Sequence, residues 1–402
     1  MKRFVIIGGG AAGFFAAINA AEMHSDLEVI ILEGSNKVLQ KVKVSGGGRC
    51  NLTHACFTPN ELVEFYPRGK KELQGPFHQF MTGDTMEWFE NRGVTLKIEE
   101  DNRVFPQSNS SQTIIDCFLE STKNAGVILK TSTRVDAIKK INEKFIIKTT
   151  SEEFTADYVL VASGSNTKVW NMMEELGHTI IKPVPSLFTF NIEDVRLKEI
   201  PGISVPKATI TILNSKLTEH GPLLITHWGL SGPAILKLSA WGALELSQKK
   251  YQFQIEVNWL SLKFETVLER LKSVKKNHAK KQVVLHTVFE EIPKRLWHKL
   301  VLAAAISENE QWAQLSNKQL ENLTNQLTKS AFNVTGKSTF KDEFVTAGGI
   351  NLKEIDFKRF ESKIHKNLFF AGEVLNIDAV TGGFNFQNAW TGAWIVANSV
   401  NN

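Results

Sequence analysis

The chain has 402 residues, of which 42% are hydrophobic and 22% are charged. This composition is typical of a soluble globular protein and excludes a wholly disordered, fibrous or membrane-embedded chain. The net charge is +5, and residues 262–330 alone carry 12 Lys or Arg against 7 Asp or Glu, so the positive excess is local.

The N-terminal segment predicts a strand, a helix and a second strand. Residues 3–8 (RFVIIG) form an apolar run that ends in glycine, small and apolar residues follow from 13 to 22, and residues 27–33 (LEVIILE) form a second apolar run. This order is typical of a βαβ unit in a parallel sheet. Alternating residues between 127 and 149 predict a small antiparallel sheet, and residues 157–164 (DYVLVASG) predict another buried strand.

The middle of the chain has a different pattern. Segments 208–213 and 251–257 predict strands of a small β-barrel or sandwich. Between 262 and 330, Leu, Val and Trp recur at helical spacing, and glycine-rich strand and helix signals resume after about residue 341. We therefore predict a first domain of residues 1–189 and 341–402, a β insertion of residues 190–261 and 331–340, and a helical insertion of residues 262–330.

The first glycine segment fits a dinucleotide-binding loop. The pattern G-x-G-x-x-G lies between the first predicted strand and helix and is formed by Gly8, Gly10, Ala11, Ala12 and Gly13. Such glycines permit a tight turn, the approach of a pyrophosphate and close helix packing, while free N–H groups at the helix end meet negative charge. Glu33 ends the second strand, where a carboxylate accepts hydrogen bonds from a ribose diol.

Residues 45–51 (SGGGRCN) form a second glycine segment. Three consecutive glycines give a backbone that can lie flat against a ligand. A flexible surface loop with a buried cysteine is the alternative interpretation. Lys41 lies just upstream and is expected either near a diphosphate or in solvent.

A third segment lies near the C-terminus. Residues 367–373 (NLFFAGE) predict a buried strand that ends in Gly and an acid. Asp378 and the pair Gly382 and Gly383 follow, and then a predicted helix runs to about residue 399. A helix N-terminus directed at a flavin would favour the negative charge that develops there on reduction. An ordinary glycine turn between a core strand and a core helix is the alternative.

Six motifs occur in order between about residues 3 and 399: GGGAAG, SGGGRCN, NRVFPQS, THWGLSGPAIL, TAGGI and FFAGEVLNIDAVTGGFNFQNAWTG. Together they resemble a family of bacterial FAD-dependent oxidoreductases with aminoacetone-oxidase-like, bile-acid enone reductase-like and rRNA dihydrouridine synthase-like members. The resemblance implies an α/β fold of the two-dinucleotide-binding type. FAD is expected in an interrupted first domain, beside an inserted β-barrel domain and a nested helical domain.

The resemblance also implies which residues contact FAD. The fingerprint residues and Glu33 would hold the adenosine and pyrophosphate, and Val135 would meet the adenine through its backbone. The other expected contacts are Lys41, Ser45, Gly47, Gly48, Arg49, Cys50, Ala162, Ser163, Gly164, Gly372, Glu373, Asp378, Gly383, Phe384 and Asn385. The sequence departs from the family pattern at Asn376 and Ala379, where Asp and Gly are usual, and at Ser163, where Thr is usual.

The activity implied by the resemblance is reduction of an activated C=C bond, in a steroid enone or in a uridine of large-subunit rRNA. Reduced flavin delivers hydride to the electron-poor carbon, and an acid protonates its neighbour. Cys50 and His227 are the candidate acids, because a thiol or an imidazole of ordinary pKa can donate near neutral pH; a structural histidine is the alternative for His227. Arg49 is expected to bind a carbonyl or phosphate, or to brace the glycine loop.

NADH or NADPH is the expected electron donor. Because no second G-x-G-x-x-G is present, no dedicated nicotinamide domain is predicted, and the donor is expected to bind only transiently. The sequence has no C-x-x-C pair, which argues against a dithiol relay, and no metal site is predicted. Three sparse cysteines predict a cytoplasmic protein. Beyond the N-terminal segment, no apolar run reaches about 18 to 20 residues, so no membrane span is predicted.

The substrate class depends on the helical insertion. Its acid-free run from 272 to 281 holds Lys272, Lys275, Lys276, His278, Lys280 and Lys281. Such lysines can neutralise RNA phosphates, although charge runs are usually solvated helix faces. Our leading hypothesis is reduction of uridine in rRNA. The alternatives are a small-molecule enone reductase and a flavin-bearing RNA-binding or redox-sensing protein without turnover.

Overall fold

The computed structural model describes residues 1–338 and 345–401. These residues form two compact units, one of residues 1–184 with 345–401 and one of residues 185–338. The predicted boundary at residues 340 and 341 lies outside the described residues. The division into three domains therefore stays a prediction.

The helices are α1 Ala11–Met23, α2 Gln40–Gly48, α3 Pro59–Leu62, α4 Lys70–Leu73, α5 Thr82–Glu90, α6 Ser111–Asn124, α7 Thr167–Glu175, α8 Pro233–Trp241, α9 Ala243–Gln248, α10 Phe264–Asn277, α11 Lys294–Ala303, α12 Asn317–Thr328 and α13 Phe384–Ser399. The strands are β1 Lys2–Ile7, β2 Leu27–Leu32, β3 Thr53–His54, β4 Leu96–Ile98, β5 Arg103–Pro106, β6 Ile128–Lys130, β7 Val135–Ile141, β8 Lys144–Thr149, β9 Glu153–Ala156, β10 Tyr158–Val161, β11 Ile180–Ser186, β12 Thr189–Asn191, β13 Ser204–Ile212, β14 Thr218–Thr226, β15 Gly229–Ser231, β16 Phe253–Asn258, β17 Ser330–Val334, β18 Gly336–Ser338, β19 Val345–Ile350, β20 Ile355–Asp356, β21 Glu361–Ser362 and β22 Leu368–Phe370.

The main sheet of the first unit has the strand order β20-β21-β22-β10-β1-β2-β6. Strands β22, β10, β1, β2 and β6 are parallel, and β20 and β21 add an antiparallel edge. The apolar runs of β1, β2 and β10 are almost wholly buried, as expected for parallel strands covered on both faces. This arrangement confirms the predicted Rossmann-type α/β domain.

The two ends of the chain meet beside this sheet. Helix α1 packs against α13, with the rings of Phe15 and Trp390 5.3 Å apart. Phe14, Phe15 and Ile18 of α1 are fully buried, and each contributes about 1.5–3 kcal/mol through burial. Burial of α1 on both sides explains why its residues are apolar or small almost throughout, without a strong amphipathic pattern.

The predicted antiparallel segment at 127–149 is only partly antiparallel. Strands β7, β8 and β9 form a three-stranded antiparallel sheet, but β6 pairs parallel with β2 in the main sheet. The extended run from Val127 to Lys130 is too short to show a period, so its sequence does not reveal which sheet it joins.

The second unit contains a seven-stranded antiparallel sheet of order β17-β16-β13-β14-β15-β12-β18. Its core continues into the helices of 262–330, because apolar residues of both parts belong to one buried cluster that includes Ile210, Val257, Trp259, Trp297 and Leu323. The strand and helix types agree with the sequence patterns, and closure of the sheet into a barrel stays a prediction. Among residues 1–338 and 345–401, no helix has the length and apolar character required to cross a bilayer.

Candidate cofactor and substrate site

Four predicted motifs follow four neighbouring strands of the main sheet. The turn from Gly8 to Gly13 follows β1, Glu33 follows β2, residues 162–164 follow β10, and Gly372 and Glu373 follow β22. Because these strands are parallel, their carboxyl ends lie at the same edge. Doubly wound sheets bind their ligands at that edge.

The first glycine turn is held by tight packing at two positions and is open at a third. Gly8 has a φ of +116°, and a methyl group there would lie 2.5 Å from the carbonyl oxygen of Ala162. A methyl group on Gly13 would lie 2.0 Å from the carbonyl oxygen of Gly8. At Gly10, by contrast, an added methyl group would meet no atom within 4 Å. The turn therefore leaves space directly before Ala11, where α1 begins.

Glu33 ties this turn to the neighbouring strands. Its Oε2 accepts the N–H of Gly9 and its Oε1 accepts the N–H of Ser35, both at 2.8 Å. Its carbonyl oxygen accepts the N–H of Thr133 at 2.8 Å, which brings the start of β7, with Val135, to this edge. The carboxylate thus orders the glycine turn, and its contact with a ribose stays a prediction.

The second glycine segment breaks the helical conformation within the last residues of α2, from Ser45 onwards. Gly46, Gly47 and Gly48 have φ values of +58°, +68° and +84°, a left-handed conformation that glycine adopts readily. The turn is fixed by a 3.0 Å hydrogen bond from the N–H of Cys50 to the carbonyl oxygen of Ser45. Gly47 and Gly48 are exposed, and methyl groups there would meet no atom within 4 Å. Their backbone is open to a ligand.

Arg49 braces this segment. Its guanidinium donates to Oε1 of Glu99 at 2.6 Å and lies 4.0 Å from the centre of the Phe105 ring. The hydrogen bond from Arg49 lowers the pKa of Glu99. Of the two expected roles, the contacts favour the brace; binding of a carbonyl or phosphate by Arg49 stays a prediction.

Cys50 is fully buried and has a φ of +61°. Burial raises the pKa of its thiol to about 12. The expectation of an ordinary thiol pKa is therefore wrong, because desolvation disfavours the thiolate. A thiol of such high pKa is poorly matched to proton donation near neutral pH.

Glu373 joins three distant parts of the first unit. Its Oε2 pairs with the ammonium of Lys41, and its Oε1 accepts the N–H of Thr346 at 3.0 Å. Its carboxylate also lies near Gly164, where an added methyl group would be 3.7 Å from Oε2. Lys41 is therefore paired within the protein, and Glu373 stands at the junction of the segments after β10 and β22.

The loop before α13 is fixed by its own polar side chains. Asn385 accepts the N–H of Ala379 at 3.0 Å and donates to its carbonyl oxygen at 3.1 Å, and Asn376 accepts the N–H of Gly348 at 3.0 Å. The carboxylate of Asp378 is fully buried and paired with Arg68 through both oxygens. The side chains of Asp378 and Asn385 thus hold the loop, and their predicted cofactor contacts remain untested.

Phe384 opens α13 and stacks on Phe65, with ring centres 4.2 Å apart. Gly383 precedes it with a φ of +95°, and a methyl group there would lie 2.5 Å from the backbone of Thr53. Sequence reasoning missed Arg68 and Phe65. Neither lies in a motif, and their partners are about three hundred residues away in the chain.

A model of the family described as HI0933-like protein Rossmann domain matches residues 2–399. The chain belongs to this HI0933-like family. The predicted membership of a FAD-dependent oxidoreductase family is thereby confirmed.

Two curated relatives cover almost the whole HI0933-like chain. A 3-dehydro-bile acid delta(4,6)-reductase of Clostridium scindens is 26% identical, and a ribosomal RNA dihydrouridine synthase of Haemophilus influenzae is 28% identical; each alignment covers 98% of both chains. Among solved structures, a 3-ketosteroid-delta4-(5alpha)-dehydrogenase of Rhodococcus jostii RHA1 matches with a TM-score of 0.52, 11% identity and coverage of 98% of this chain and 97% of that one. At that identity the match shows a shared fold.

The residues at the sheet edge fit the FAD that the HI0933-like family implies. Open space at Gly10, Gly47 and Gly48 leaves room for a diphosphate and a flat ring close to the backbone, and Gly10 directly precedes the N-terminus of α1. Within the described residues, the buried hydroxyl oxygens of Ser163 and Thr346 have no hydrogen-bond partner. Buried polar groups normally have partners, so these hydroxyls suit a polar ligand.

His227 belongs to the second unit. It is exposed in the turn between β14 and β15 and lines a cavity of about 440 Å³ together with Thr226, Lys198 and Arg295. Its neighbour Trp228 is 60% exposed. The turn therefore presents an imidazole and an aromatic ring to solvent.

Proposed function

We propose that this chain is a reductase that binds FAD at the carboxyl edge of its parallel sheet. The observation that carries the proposal is the convergence of glycine turns after β1, β10 and β22 at that edge. In this proposal the turn from Gly8 to Gly13 and Glu33 hold the adenosine and pyrophosphate, and Val135 meets the adenine. The remaining proposed contacts are Lys41, Ser45, Gly47, Gly48, Arg49, Cys50, Ala162, Ser163, Gly164, Gly372, Glu373, Asp378, Gly383, Phe384 and Asn385.

The proposed reaction adds two hydrogens across a C=C bond conjugated to a carbonyl group. When FAD is bound and reduced, it supplies the hydride to the electron-poor carbon. NADH or NADPH supplies the electrons, and an acid of the protein delivers the proton to the adjacent carbon. The relatives' names support this class, since one is a delta(4,6)-reductase and the other forms dihydrouridine, which is uridine plus two hydrogens.

His227 is the proton donor we propose to test first. Its imidazole is exposed in the turn between β14 and β15, and an imidazole is the commonest general acid in enzymes. Cys50 is the second candidate, and its burial and its pKa of about 12 count against it. Arg49, paired with Glu99, braces the glycine segment, and its binding of a carbonyl or phosphate stays a prediction.

The substrate we propose is a uridine of large-subunit rRNA. The dihydrouridine synthase of Haemophilus influenzae matches 98% of the chain, and the second unit carries an exposed group of lysines after Leu271. In this proposal the protein acts on rRNA and is therefore located in the cytoplasm. The second candidate is a small-molecule enone, which is favoured by the similar match to the bile-acid reductase.

The first test is mass spectrometry of rRNA from a deletion strain and from the strain complemented with the gene. The proposal expects one dihydrouridine to disappear and to return on complementation. Unchanged dihydrouridine content would exclude the rRNA substrate, and the reduced enzyme is then mixed anaerobically with a panel of enones. Flavin reoxidation by an enone would support the second candidate.

A spectroscopic test addresses the cofactor and the donor. The purified protein should show flavin absorption, and anaerobic titration with NADH and NADPH should bleach it with one of the two. A colourless protein that takes up no FAD would refute the cofactor assignment. Tight RNA binding with no reduction by either nucleotide would instead favour the third hypothesis, a flavin-bearing protein without turnover.

A further inference from the structure

The loop between α10 and α11 is rigidly attached to the segment before α12. Three backbone hydrogen bonds link them: Ala313 N–H to Ala279 O at 2.9 Å, Trp312 N–H to Lys281 O at 3.1 Å, and Val283 N–H to Glu310 O at 3.0 Å. The indole N–H of Trp297 also donates to Val283 O at 2.8 Å. The loop therefore holds its side chains on a fixed backbone.

The protonation of His286 follows from its buried neighbour. The indole nitrogen of Trp312 lies 3.1 Å from Nδ1 of His286. An indole N–H can only donate, so Nδ1 accepts and the neutral imidazole carries its hydrogen on Nε2. Burial, followed by the charges of Lys281 and His278, lowers the pKa of His286, which favours this neutral form.

The Nε2–H of His286 faces a second donor. The ammonium of Lys281 lies 3.5 Å from Nε2, and an ammonium has no acceptor to offer. Among the described residues, the polar contact of the Lys281 ammonium is this one with His286, and no ion pair with a carboxylate is found within 4 Å. The carboxylate of Glu310, whose backbone oxygen bonds to Val283, accepts from Ser307 and Gln319. Two donors that converge on one point are satisfied together by an oxyanion.

The surroundings of this pair are also positive. The ring of His278 lies 4.7 Å from that of His286, and Lys276 and Lys280 are exposed on the same stretch of chain. Lys275, which the sequence grouped with them, instead donates to Leu315 O at 2.5 Å and serves the fold. The exposed lysines that remain beside Lys281 in this run are therefore Lys272, Lys276 and Lys280.

We propose that Lys281 and His286 form a binding site for a phosphate of the RNA backbone, with Lys276, His278 and Lys280 around it. This inference rests on the proposed rRNA substrate. Phosphate oxygens accept both donors at once, and release of counterions from RNA adds a salt-dependent gain in affinity. The site gives no sequence information by itself; it positions the RNA.

The first experiment tests the site without RNA. Inorganic phosphate is titrated into the purified flavoprotein labelled with ¹⁵N-histidine, and the imidazole nitrogens are followed by NMR. We expect a saturable shift of the His286 Nε2 signal that disappears in Lys281→Ala and persists in Lys318→Ala, which removes an exposed lysine of α12. No shift, or the same shift in Lys281→Ala, would overturn the phosphate site.

The second experiment asks whether the phosphate belongs to RNA. Binding of a large-subunit rRNA transcript is measured from 50 to 300 mM salt for the wild type and both variants. Loss of one phosphate contact should make the plot of log K against log salt shallower by about 0.7–0.9 and weaken binding roughly four- to fivefold at 0.15 M salt in Lys281→Ala, but not in Lys318→Ala. Lys281→Arg, which keeps the charge, should recover most of the affinity.

The two proposals fail in different ways. A phosphate-dependent shift with equal RNA affinity in the wild type and Lys281→Ala would overturn the RNA assignment and leave a site for free phosphate. Unchanged dihydrouridine in the deletion strain would refute the proposed function, whereas the NMR titration would still decide the phosphate site.

Discussion

Replacement of Asp378 by Asn tests the ion pair that fixes the loop before α13. The Asp378 side chain is 0% exposed and that of Arg68 only 10% exposed, so Asp378→Asn leaves a buried guanidinium without its counter-charge at almost unchanged volume. Breaking a buried pair on one side costs about 3–5 kcal/mol. For a unit of this size, Tm shifts by about 2–4 °C per kcal/mol, so we expect a fall of about 6–20 °C by calorimetry.

Two controls separate burial from charge. Asp101→Asn breaks the pair with Arg103, in which Asp101 is 56% exposed, and should cost at most about 1 kcal/mol. The double variant Arg68→Met with Asp378→Asn removes both charges and should recover part of the lost stability. If Asp378→Asn shifted Tm no more than Asp101→Asn, the pair would not hold the loop and the reasoning would be refuted.

Three further predictions concern the candidate site. Between pH 9 and 12 the free energy of unfolding of the wild type, measured with urea, should fall by about 1.4 kcal/mol more per pH unit than that of Cys50→Ala, because the folded Cys50 thiol has a pKa of about 12 while the unfolded thiol ionises from about 9. Gly47→Ala and Gly93→Ala should each cost about 1–2 kcal/mol through their positive φ, but only Gly47→Ala should lower FAD content in a spectral assay. His227→Gln should slow substrate reduction at least 100-fold while leaving anaerobic flavin reduction by NADH or NADPH unchanged, and equal losses in both half-reactions would exclude its role as acid.

The elements around β1 were predictable because the signals there are local. A buried strand, a glycine turn and a helix follow one another within about twenty residues, and at Gly8 and Gly13 the structure bears out the steric need for glycine through clashes with an added methyl group. The acid at the end of β2 was found by spacing alone. Spacing does not predict the hydrogen bond from the N–H of Gly9 to Glu33, since a carboxylate can accept from a ribose hydroxyl and from a backbone N–H equally well.

The long-range contacts were not predictable in the same way. Lys41 and Glu373 are 332 positions apart, and Arg68 and Asp378 are 310 apart. Each residue has several oppositely charged candidates in the chain, and only the strand order brings these particular ones together. The sequence also does not predict that His286 donates through Nε2. That role depends on its contact with Trp312, which the sequence pattern indicates only as an apolar core residue.

The three departures from the family pattern differ in their effect on the structure. Ala379 is bound by Asn385 through its backbone N–H and carbonyl, and its φ is not positive, so alanine can replace glycine there without strain. Asn376 needs only one oxygen to accept the N–H of Gly348, which an amide provides as well as a carboxylate. At Ser163, in contrast, the hydroxyl oxygen has no protein partner in the described structure. Serine keeps that hydroxyl and lacks only the methyl group of threonine, so the substitution would preserve the proposed hydrogen bond to FAD at this position and alter only the packing around it.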